Sequence, residues 1–329
     1  MYDVVIVGAS FAGLAVASQL KGKILLLDKA EVGEGEKSTC GVPFNLIKNL
    51  GLKHAVAQKV KEAIIYFNDS QISVDLPEPY CTIDYKKFCQ LLLKKSSAEF
   101  IKANAKGIVR HRILTNKSSY KAKIFVDASG PKAVLISSLN PNWQRHCFFG
   151  VNIKIPYQTK KFHFFINPKI IPNGYAWAFP AGDVTRFGVG SYATAGINFL
   201  ECLKKFVQSF DLKFVGQLYG GFISSNLKDP IFNGIWAVGD AAGQALPLTG
   251  EGIRTAIKFG MRAGQEIQKF LDGKQTLVQA QQNYRQFVLS KALIYKILFW
   301  MQNLMRYPKF LYLLTKLLKN FLLESYFRI

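Results

Sequence analysis

The hydrophobic residues at the start of the chain fall into blocks with two different periodicities. Residues 3–8 form a β-branched run that ends at a glycine, which predicts a buried parallel strand. Residues 11–20 are typical of a helix, and residues 23–28 form a second buried run, so together they predict a βαβ unit. Two further buried runs, residues 123–127 and 234–239, end in Asp or Gly turns of their own. We expect all of these strands to join one parallel sheet.

Two later segments show a different pattern. Residues 61–76 and 145–192 are rich in β-branched and aromatic residues that alternate with polar ones, and turn signals such as Pro172-Asn173-Gly174 separate the runs. This pattern predicts antiparallel sheet. Because these segments interrupt the series of parallel strands, the parallel domain is expected to be discontinuous, with the antiparallel domain inserted into it twice.

The C-terminal segment, residues 290–329, is amphipathic and basic. A helical wheel over residues 291–306 separates a polar side from a broad apolar side, Pro308 interrupts the pattern, and a second amphipathic stretch covers residues 309–323. The pattern is typical of helices on a bilayer surface and equally of helices that pack inward on the antiparallel domain, and both interpretations stay open. The polar side holds Lys291, Lys296, Gln302, Asn303 and Arg306, and the apolar side holds Leu293, Ile294, Ile297, Leu298, Trp300, Met301 and Leu304.

The charge balance narrows the choice of partners. The 329 residues include 43 Lys and Arg against 21 Asp and Glu, a formal net charge of +22, which favours polyanionic partners. Since no motif that reads DNA or RNA is found, we expect an anionic membrane surface as the partner and no nucleic acid.

The sequence also bears on the location of the protein. No uncharged run reaches the roughly 20 residues of a membrane-spanning helix, and no signal-peptide pattern precedes the first strand. With five cysteines in no paired spacing, these features predict a cytoplasmic protein, peripheral on the inner membrane face.

The histidines give no indication of a metal site. His54, His111, His146 and His163 are scattered along the chain, without a second histidine or a carboxylate at ligand spacing. We therefore predict no metal.

A glycine-rich turn follows the first predicted strand. The segment Gly8-Ala9-Ser10-Phe11-Ala12-Gly13 leads into the predicted helix, and Asp28 ends the second strand. In a dinucleotide fold such glycines allow a tight turn, a close approach of the backbone to a pyrophosphate and close packing of helix on strand. The pyrophosphate then lies at a helix N-terminus, and the carboxylate accepts hydrogen bonds from ribose hydroxyls. Ser10 replaces the middle glycine with another small residue.

A second glycine cluster follows the last predicted strand. It reads Gly239-Asp240-Ala241-Ala242-Gly243 and continues as Pro247-Leu248-Thr249-Gly250-Glu251-Gly252-Ile253. Asp240 is suited to bind a sugar-alcohol hydroxyl, and the amides of Gly252 and Ile253 are suited to face the edge of a flavin ring. By itself the cluster would also fit a helix N-cap. Together with the N-terminal turn it predicts FAD as the cofactor.

This pairing resembles the FAD-dependent oxidoreductases of the p-hydroxybenzoate hydroxylase-like superfamily, whose middle motif is similar to Asp127-Ala128-Ser129-Gly130. Within it, three segments resemble the geranylgeranyl reductase family, which saturates isoprenoid chains of lipids. These segments are Lys37-Ser38-Thr39-Cys40-Gly41; Gly174-Tyr175-Ala176-Trp177-Ala178-Phe179-Pro180 followed by Gly188-Val189-Gly190; and the Pro247–Ile253 sequence. The chain departs from the family at Ile83-Asp84-Tyr85, where Tyr85 replaces a cofactor-contacting arginine.

The motifs and the resemblance together imply a set of site residues. Cys40 is expected beside the flavin, where it would tune the ring or assist protonation, and Tyr175 and Trp177 are expected on one face of a strand, lining an isoprenoid tunnel. The same residues also fit ordinary packing positions. Contacts with the cofactor are predicted for Gly8, Ser10, Phe11, Ala12, Gly13, Asp28, Lys29, Thr39, Cys40, Gly41, Tyr85, Ala105, Asp240, Gly250, Gly252 and Ile253.

The predicted fold class is α/β: a Rossmann-like FAD-binding domain with an inserted antiparallel β-sheet substrate domain and a C-terminal helical segment. The FAD-binding domain is predicted over residues 1–60, 81–144 and 228–289, the substrate domain over residues 61–80 and 145–227, and the helical segment over residues 290–329.

The predicted function is that of an FAD-dependent reductase, which saturates isoprenoid double bonds of polyprenyl lipids by hydride from reduced flavin. No second glycine motif offers a nicotinamide site, so the electrons are expected from an external donor, NAD(P)H or a redox protein. Two alternatives stay open. One is a flavin monooxygenase or halogenase of the same fold, and the other is a non-catalytic flavin- or lipid-binding protein.

Overall fold

The structure is a computed structural model that describes residues 1–143 and 147–327, with side chains up to residue 318. His146, the predicted domain limit between residues 144 and 145, and the last two residues of the predicted C-terminal segment lie outside the described residues. The chain divides into two compact units. The first unit comprises Met1–Gly35, Tyr85–Cys147 and Ile223–Tyr295, and the second comprises Glu36–Asp84, Phe148–Phe222 and Lys296–Ile329.

Strands and helices alternate in the first unit, whereas the second unit consists mainly of strands. The strands of the chain are Tyr2–Val7 (β1), Ile24–Asp28 (β2), Gly41–Pro43 (β3), Val56–Phe67 (β4), Ser70–Ile83 (β5), Glu99–Lys102 (β6), Ala105–Val109 (β7), Arg112–Thr115 (β8), Ser119–Tyr120 (β9), Ala122–Asp127 (β10), Cys147–Ile155 (β11), Phe162–Ile166 (β12), Gly174–Ala181 (β13), Val184–Ser191 (β14), Leu218–Ser224 (β15), Ile231–Phe232 (β16) and Ile235–Ala237 (β17). The α-helices are Phe11–Ala17 (α1), Phe44–Asn49 (α2), Tyr85–Lys94 (α3), Val134–Leu139 (α4), Phe199–Gln208 (α5), Ile253–Leu271 (α6), Leu277–Leu289 (α7), Ala292–Gln302 (α8) and Pro308–Phe327 (α9). Short 3₁₀ helices cover Lys53–Ala55, Gly130–Lys132, Gly239–Ala242 and Asn303–Arg306.

The parallel sheet predicted from the apolar runs is present in the first unit. Its strand order is β16-β17-β10-β1-β2-β6, and every pair is parallel except β16 with β17. The central strand β1 pairs with β2 on one side and with β10 on the other, so Val4 lies beside both Ile24 and Ile124. The prediction that the distant runs join this sheet is therefore confirmed. The predicted helix over residues 11–20 is shorter, because α1 ends at Ala17.

Small residues allow α1 to pack closely against α6 within the first unit. A Cβ atom built on Gly260 would lie 2.7 Å from the carbonyl oxygen of Ala12, and one on Gly264 would lie 2.6 Å from that of Val16. No larger side chain fits at either position without a shift of one helix. The glycines of α6 thus fix the position of the helix that begins at the N-terminal glycine turn.

The second unit contains a large, mainly antiparallel sheet. Its order is β15-β11-β14-β13-β12-β4-β5-β3, and β12 and β4 form a parallel pair inside it. One face carries an aliphatic and aromatic core with α5, built from residues such as Ile153, Phe187 and Leu203. Antiparallel sheet was predicted for this part of the chain, but the parallel pairing of β12 with β4 was not, because it joins segments far apart in the sequence.

The observed units differ from the predicted domain limits most at residues 36–60 and 296–329, with smaller differences at Cys147 and at residues 81–84, 223–227 and 290–295. Residues 36–60 were predicted in the FAD-binding domain, but they belong to the second unit because β3 and β4 both pair with β5. Residues 296–329 were predicted as a separate segment, yet they belong to the second unit as well, since α9 contacts β4 and β5 and Tyr312 meets the ring of Phe67 edge-on.

The helical wheel for the C-terminal segment was partly wrong. Gln302, predicted on the polar side, is 1% exposed, whereas Leu293 and Trp300, predicted on the apolar side, are 71% and 55% exposed. All three residues lie inside α8, and the physical reason is that this helix packs inward on the side of Tyr295, Leu298 and Gln302, which a helical wheel of the isolated segment does not identify. Among the described residues, no helix is both long enough and apolar enough to span a membrane.

We predict that Gly260→Val lowers the free energy of unfolding of the full-length protein by about 1–3 kcal/mol, because the added methyl groups press on α1. Urea denaturation followed by tryptophan fluorescence measures the change. The matched control is Gln265→Val, which places the same side chain at an exposed position of α6. Equal losses for the two variants would contradict the close packing of α1 on α6.

Candidate functional site

The N-terminal turn is built so that only glycine fits at its two ends. Gly8 has a φ of +110°, and a Cβ atom on it would lie 2.1 Å from the carbonyl oxygen of Ala128. A Cβ atom on Gly13 would lie 1.8 Å from the carbonyl oxygen of Gly8. The backbones of β1, α1 and the turn after β10 are therefore in direct contact, as the predicted roles of the first and third glycines require.

Asp28 holds the same turn from the neighbouring strand. The amide of Ala9 donates to Asp28 Oδ2 at 2.8 Å, and the amide of Ala30 donates to Oδ1 at 3.0 Å. A carboxylate accepts about four hydrogen bonds, so these two leave acceptor positions on both oxygens. The structure thus brings Asp28 to the turn. Lys29, the adjacent residue and also a predicted cofactor contact, is exposed.

Tyr85, at the start of α3, also reaches the turn. Its hydroxyl donates to Ser10 Oγ at 3.1 Å, and its ring lies 5.4 Å from that of Phe11. Ser10 occupies the N-cap position of α1, but its side chain makes no capping hydrogen bond among the described residues. The residue that replaces the family's arginine therefore lies at the predicted cofactor turn.

The second glycine cluster meets the first one inside the first unit. A Cβ atom on Gly239 would lie 2.9 Å from the Cβ of Ala12, which puts the Gly239–Asp240 turn against the first turn of α1. A Cβ atom on Gly252 would lie 3.7 Å from Asp240 Oδ1, and Gly252 is the N-cap of α6. Gly250, with a φ of +65°, and Ile253 flank this N-terminus. The structure therefore brings Gly8–Gly13, Asp240 and Gly252 together although more than two hundred residues separate them.

A network that the motifs did not indicate supports this second cluster. Gln244 Oε1 accepts from the amide of Gly239 at 2.7 Å, and Gln244 Nε2 donates to the hydroxyl of Tyr284 at 3.1 Å. Tyr295 donates to the carbonyl oxygen of Gln244, and burial raises the pKa of the Tyr295 phenol well above its usual range. The buried Arg254 binds Glu251 through two hydrogen bonds of 3.0 and 2.9 Å. For these contacts the sequence offered one signal, the spacing of three residues between the opposite charges of Glu251 and Arg254.

The middle motif has a structural task in this fold. Asp127 is fully buried, and it accepts hydrogen bonds from Ser129 Oγ and from the amides of Leu135 and Ile136 at the start of α4. Burial raises the pKa of this carboxyl group, and the hydrogen bonds oppose that effect. Ala105 lies in the hydrophobic core that includes Leu27 and Val7, so its side chain is a packing group.

Thr39, Cys40 and Gly41 form a strained turn in the second unit. Cys40 is buried and has a φ of +60°, a conformation that is costly for a residue with a side chain. Its amide donates to Ser38 Oγ at 3.1 Å, and its carbonyl oxygen accepts from the amide of Ile83 at 3.1 Å. Cys40 Sγ lies 3.6 Å from Glu36 Oε1 and 3.4 Å from the carbonyl oxygen of Ser38.

Glu36, Arg186 and Lys154 form a cluster around this turn, which we call the Glu36 clamp. Arg186 Nη2 lies 2.5 Å from Glu36 Oε1, Arg186 Nη1 donates to the carbonyl oxygen of Ser38 at 2.8 Å, and Lys154 Nζ lies 3.0 Å from Glu36 Oε2. The Arg186 side chain is only 4% exposed. No sequence motif indicated this cluster. Its one signal in the sequence was Arg186, a single arginine within the apolar strand β14.

Tyr175 and Trp177 lie on one face of β13, as predicted, with ring centroids 5.6 Å apart. Glycines on the neighbouring strand leave room for these rings. A Cβ atom on Gly188 would lie 2.2 Å from the Trp177 indole, and one on Gly190 would lie 2.1 Å from the ring of Phe148, which stacks on Tyr175. The rings of Trp177 and Phe148 therefore pack directly on the backbone of β14.

The same aromatic face continues to the Cys40 turn. Phe179 lies 4.4 Å from Phe162 and 5.0 Å from Phe164, measured between ring centroids, and Phe164 lies 6.0 Å from Tyr175. A Cβ atom on Gly41 would lie 3.5 Å from Phe179. We call this set the aromatic face, and it consists of Phe148, Phe162, Phe164, Tyr175, Trp177 and Phe179.

The predicted site residues thus form two groups. One group, in the first unit, surrounds the two glycine clusters. The other group, in the second unit, comprises the Cys40 turn and the aromatic face. Within the residues that the structure describes, no group of three or more His, Cys, Asp or Glu side chains is arranged to hold a metal ion.

Comparisons with known proteins agree with this architecture. The family model described as lycopene cyclase protein matches residues 3–164, just under half of the chain. A digeranylgeranylglycerophospholipid reductase from Methanosarcina acetivorans is 28% identical in an alignment of 312 positions, and the alignment covers 80% of this chain and 74% of that protein.

Solved structures with the same fold include a geranylgeranyl bacteriochlorophyll reductase-like protein from Thermoplasma acidophilum. It has a TM-score of 0.82 and 22% identity, with 94% of this chain and 89% of that chain covered. A probable FAD-dependent monooxygenase from Pseudomonas aeruginosa has a TM-score of 0.75 and 15% identity, with 94% of this chain and 98% of that chain covered.

These findings confirm the predicted fold class, the resemblance to geranylgeranyl reductases and the assignment to the enzymes. The chain is therefore similar in sequence to the digeranylgeranylglycerophospholipid reductases, and it has the fold of the geranylgeranyl bacteriochlorophyll reductase-like protein and of the probable FAD-dependent monooxygenase.

Proposed function

We propose that this protein is an FAD-dependent reductase that saturates isoprenoid double bonds in polyprenyl lipids of the geranylgeranyl type. The observation that carries the proposal is the meeting of the N-terminal glycine turn with the Gly239–Asp240 turn, beside Asp28, at one end of the parallel sheet. The name of the Methanosarcina acetivorans relative supports the substrate class.

The residues of the first unit fit FAD. The amides at the start of α1 would bind the pyrophosphate, because the turn has no side chain at Gly8 or Gly13 to block it. Asp28 would accept from ribose hydroxyls, and Asp240 would accept from the sugar alcohol. The amides of Gly252 and Ile253, at the N-terminus of the long helix α6, would face the flavin ring. When bound and reduced, FAD supplies a hydride.

The aromatic face of the second unit supports an isoprenoid substrate. Its rings are apolar and conformationally restricted, and Phe148, Phe162, Tyr175 and Trp177 are at most 7% exposed, which suits a dry site for a flexible hydrocarbon chain. The indole Nε1 of Trp177 is buried and has no hydrogen-bond partner among the described residues. Burial raises the pKa of Tyr175 above its usual range, so its hydroxyl stays protonated.

Saturation adds a hydride to one alkene carbon and a proton to the other. We propose that Cys40 provides or relays this proton, which solvent then replaces. The Glu36 clamp would hold the thiol in place, because Glu36 Oε1 lies within hydrogen-bond reach of Sγ and Arg186 fixes Glu36.

A lipid substrate and a net charge of +22 support action at an anionic membrane surface, on the cytoplasmic face. The electrons would come from NAD(P)H or a redox protein, because one dinucleotide motif provides for one tightly held nucleotide.

The direct test is reduction of a lipid under anaerobic conditions. We expect the purified protein, with FAD reduced by dithionite, to convert a geranylgeranyl glycerolipid into products heavier by two hydrogens for each saturated double bond, measured by mass spectrometry. An unchanged lipid mass would contradict the proposal. Oxygen-dependent consumption of NAD(P)H with a hydroxylated or halogenated product would indicate the monooxygenase or halogenase alternative. Tight binding of flavin and lipid without reduction by any donor would indicate a non-catalytic protein.

Asp28→Asn is expected to weaken FAD binding about tenfold to a hundredfold, since a charge-assisted hydrogen bond contributes about 1.5–3 kcal/mol. Flavin fluorescence quenching during titration of the apoprotein measures the dissociation constant. Asp272→Asn, at the C-terminal end of α6, is the control and should leave FAD affinity unchanged. Equal affinity of wild type and Asp28→Asn would mean that Asp28 only supports the turn.

Arg186→Met is expected to lower the rate of lipid reduction at least about tenfold, a loss of about 1.4 kcal/mol of transition-state stabilisation, while FAD stays bound. The physical reason is that the Cys40 turn loses the group that fixes Glu36 and the Ser38 carbonyl. Cys40→Ala should cause a loss of similar or greater size. If Arg186 acts through Cys40, the double variant is no slower than Cys40→Ala alone.

The control for this pair is Arg262→Met, which breaks the Arg262–Glu266 ion pair of the first unit and should leave the rate unchanged. Rate losses that multiply in the double variant would show that Arg186 does not act through Cys40. Thermal melting of each variant separates a loss of rate from a loss of folded protein.

A further inference from the structure

The C-terminal helices have an exposed apolar side that no element of the second unit covers. Leu317, Leu313 and Trp300 are 81%, 61% and 55% exposed, which is unusual for side chains of this size in one short stretch. We call this side the outer face. It consists of the exposed residues Lys296, Phe299, Trp300, Arg306, Tyr307, Lys309, Phe310, Leu313, Lys316 and Leu317.

The geometry of α9 separates this face from the side that packs on the sheet. Leu311 is 1% exposed, and Tyr312 contacts Phe67 of β4. At about 100° per residue, Phe310, Leu313 and Leu317 form a stripe on the other side of the helix. One side of α9 therefore packs inward on the sheet, as one of the two interpretations of the sequence predicted. The stripe on the other side of α9 is exposed.

Basic residues border the apolar stripe. Lys309 and Lys316 lie two turns apart along its edge, and Lys296 and Arg306 are exposed on the preceding turns. The sequence from residue 296 to residue 318 contains no Asp or Glu. The outer face therefore combines apolar and aromatic side chains with positive charge alone, which is complementary to anionic lipid headgroups. A second copy of this face would meet it with like charges.

We propose that the outer face docks on the surface of a bilayer that contains anionic lipids. Phe310, Leu313 and Leu317 enter the boundary between headgroups and acyl chains, and Trp300 and Tyr307 lie at the interface, where amphipathic rings are favoured. Lys309 and Lys316 contact the phosphates. The proposal rests on the proposed function, because it identifies the surface by which a lipid-modifying enzyme reaches its substrate.

The test is sedimentation of the full-length protein with vesicles of equimolar phosphatidylcholine and phosphatidylglycerol, and with vesicles of phosphatidylcholine alone. We expect binding to the anionic vesicles and little binding to the neutral ones. Lys309→Gln and Lys316→Gln should each weaken binding about fivefold. The triple variant Phe310→Ser, Leu313→Ser and Leu317→Ser should weaken it at least about tenfold, since three apolar side chains no longer enter the membrane.

A matched triple variant controls for the loss of exposed apolar area. Leu200, Val215 and Leu218 are exposed elsewhere in the second unit, and their replacement by Ser should leave vesicle binding unchanged. Trp300 gives an independent signal, because Trp143, Trp177 and Trp236 are at most 9% exposed. Brominated phosphatidylcholine in the anionic vesicles should quench the fluorescence of wild type, and Trp300→Phe should lose most of that quenching.

The outcomes separate this proposal from the proposed function. Reduction of a lipid dispersed in detergent should be unaffected in the Ser triple variant of α9, because none of its residues lies in the cofactor clusters, the Cys40 turn or the aromatic face. If this variant bound anionic vesicles as well as wild type, the docking proposal would be overturned while the enzyme activity stood. If wild type were a dimer and the variant a monomer with equal vesicle binding, the outer face would be a contact between copies of the chain. Vesicle binding without any lipid reduction would instead overturn the proposed function alone.

Discussion

The close approach of backbone segments around the N-terminal glycine turn is the constraint on which the first unit depends. Gly8 touches the turn after β10, Gly13 touches Gly8, and Gly239 touches the first turn of α1, each at a distance that excludes a side chain. These contacts bring three segments from distant parts of the chain to one end of the parallel sheet. A larger residue at any of the three glycines would both separate the segments and fill the space in which backbone amides are able to face an anion.

The second unit holds the buried Cys40 thiol in an unfavourable backbone conformation. A positive φ at Cys40 costs free energy, and its amide, carbonyl and thiol groups all have polar neighbours that offset the cost. The Glu36 clamp adds a buried arginine to this arrangement. Desolvation makes such a pair a poor source of stability, so its placement on the Cys40 turn is better explained by positioning than by stabilisation of the fold.

The parts of this fold that the sequence predicted are those that depend on local pattern. Buried parallel strands are nearly continuous apolar runs, and the glycines at 8, 13 and 239 lie where an added side chain would meet a neighbouring segment, so both were recognisable. The parallel pairing of β12 with β4, the burial of Gln302 and the contact of Arg186 with Glu36 depend on segments far apart in the chain. A helical wheel describes one helix, but the side that becomes buried is decided by the neighbouring elements.

The large sheet of the second unit has two chemically different faces, and this difference connects its fold to the proposed chemistry. Toward α5 its side chains interdigitate with aliphatic and aromatic residues of the helix, as in an ordinary core. On the other face, Gly188 and Gly190 have no side chains, and the rings of Trp177 and Phe148 occupy the space above them. Glycine in the middle of a strand weakens the sheet, and its use at these two positions is explained by the rings of Trp177 and Phe148, which occupy the space that a side chain would need. These rings give the face the aromatic character on which the proposed substrate class depends.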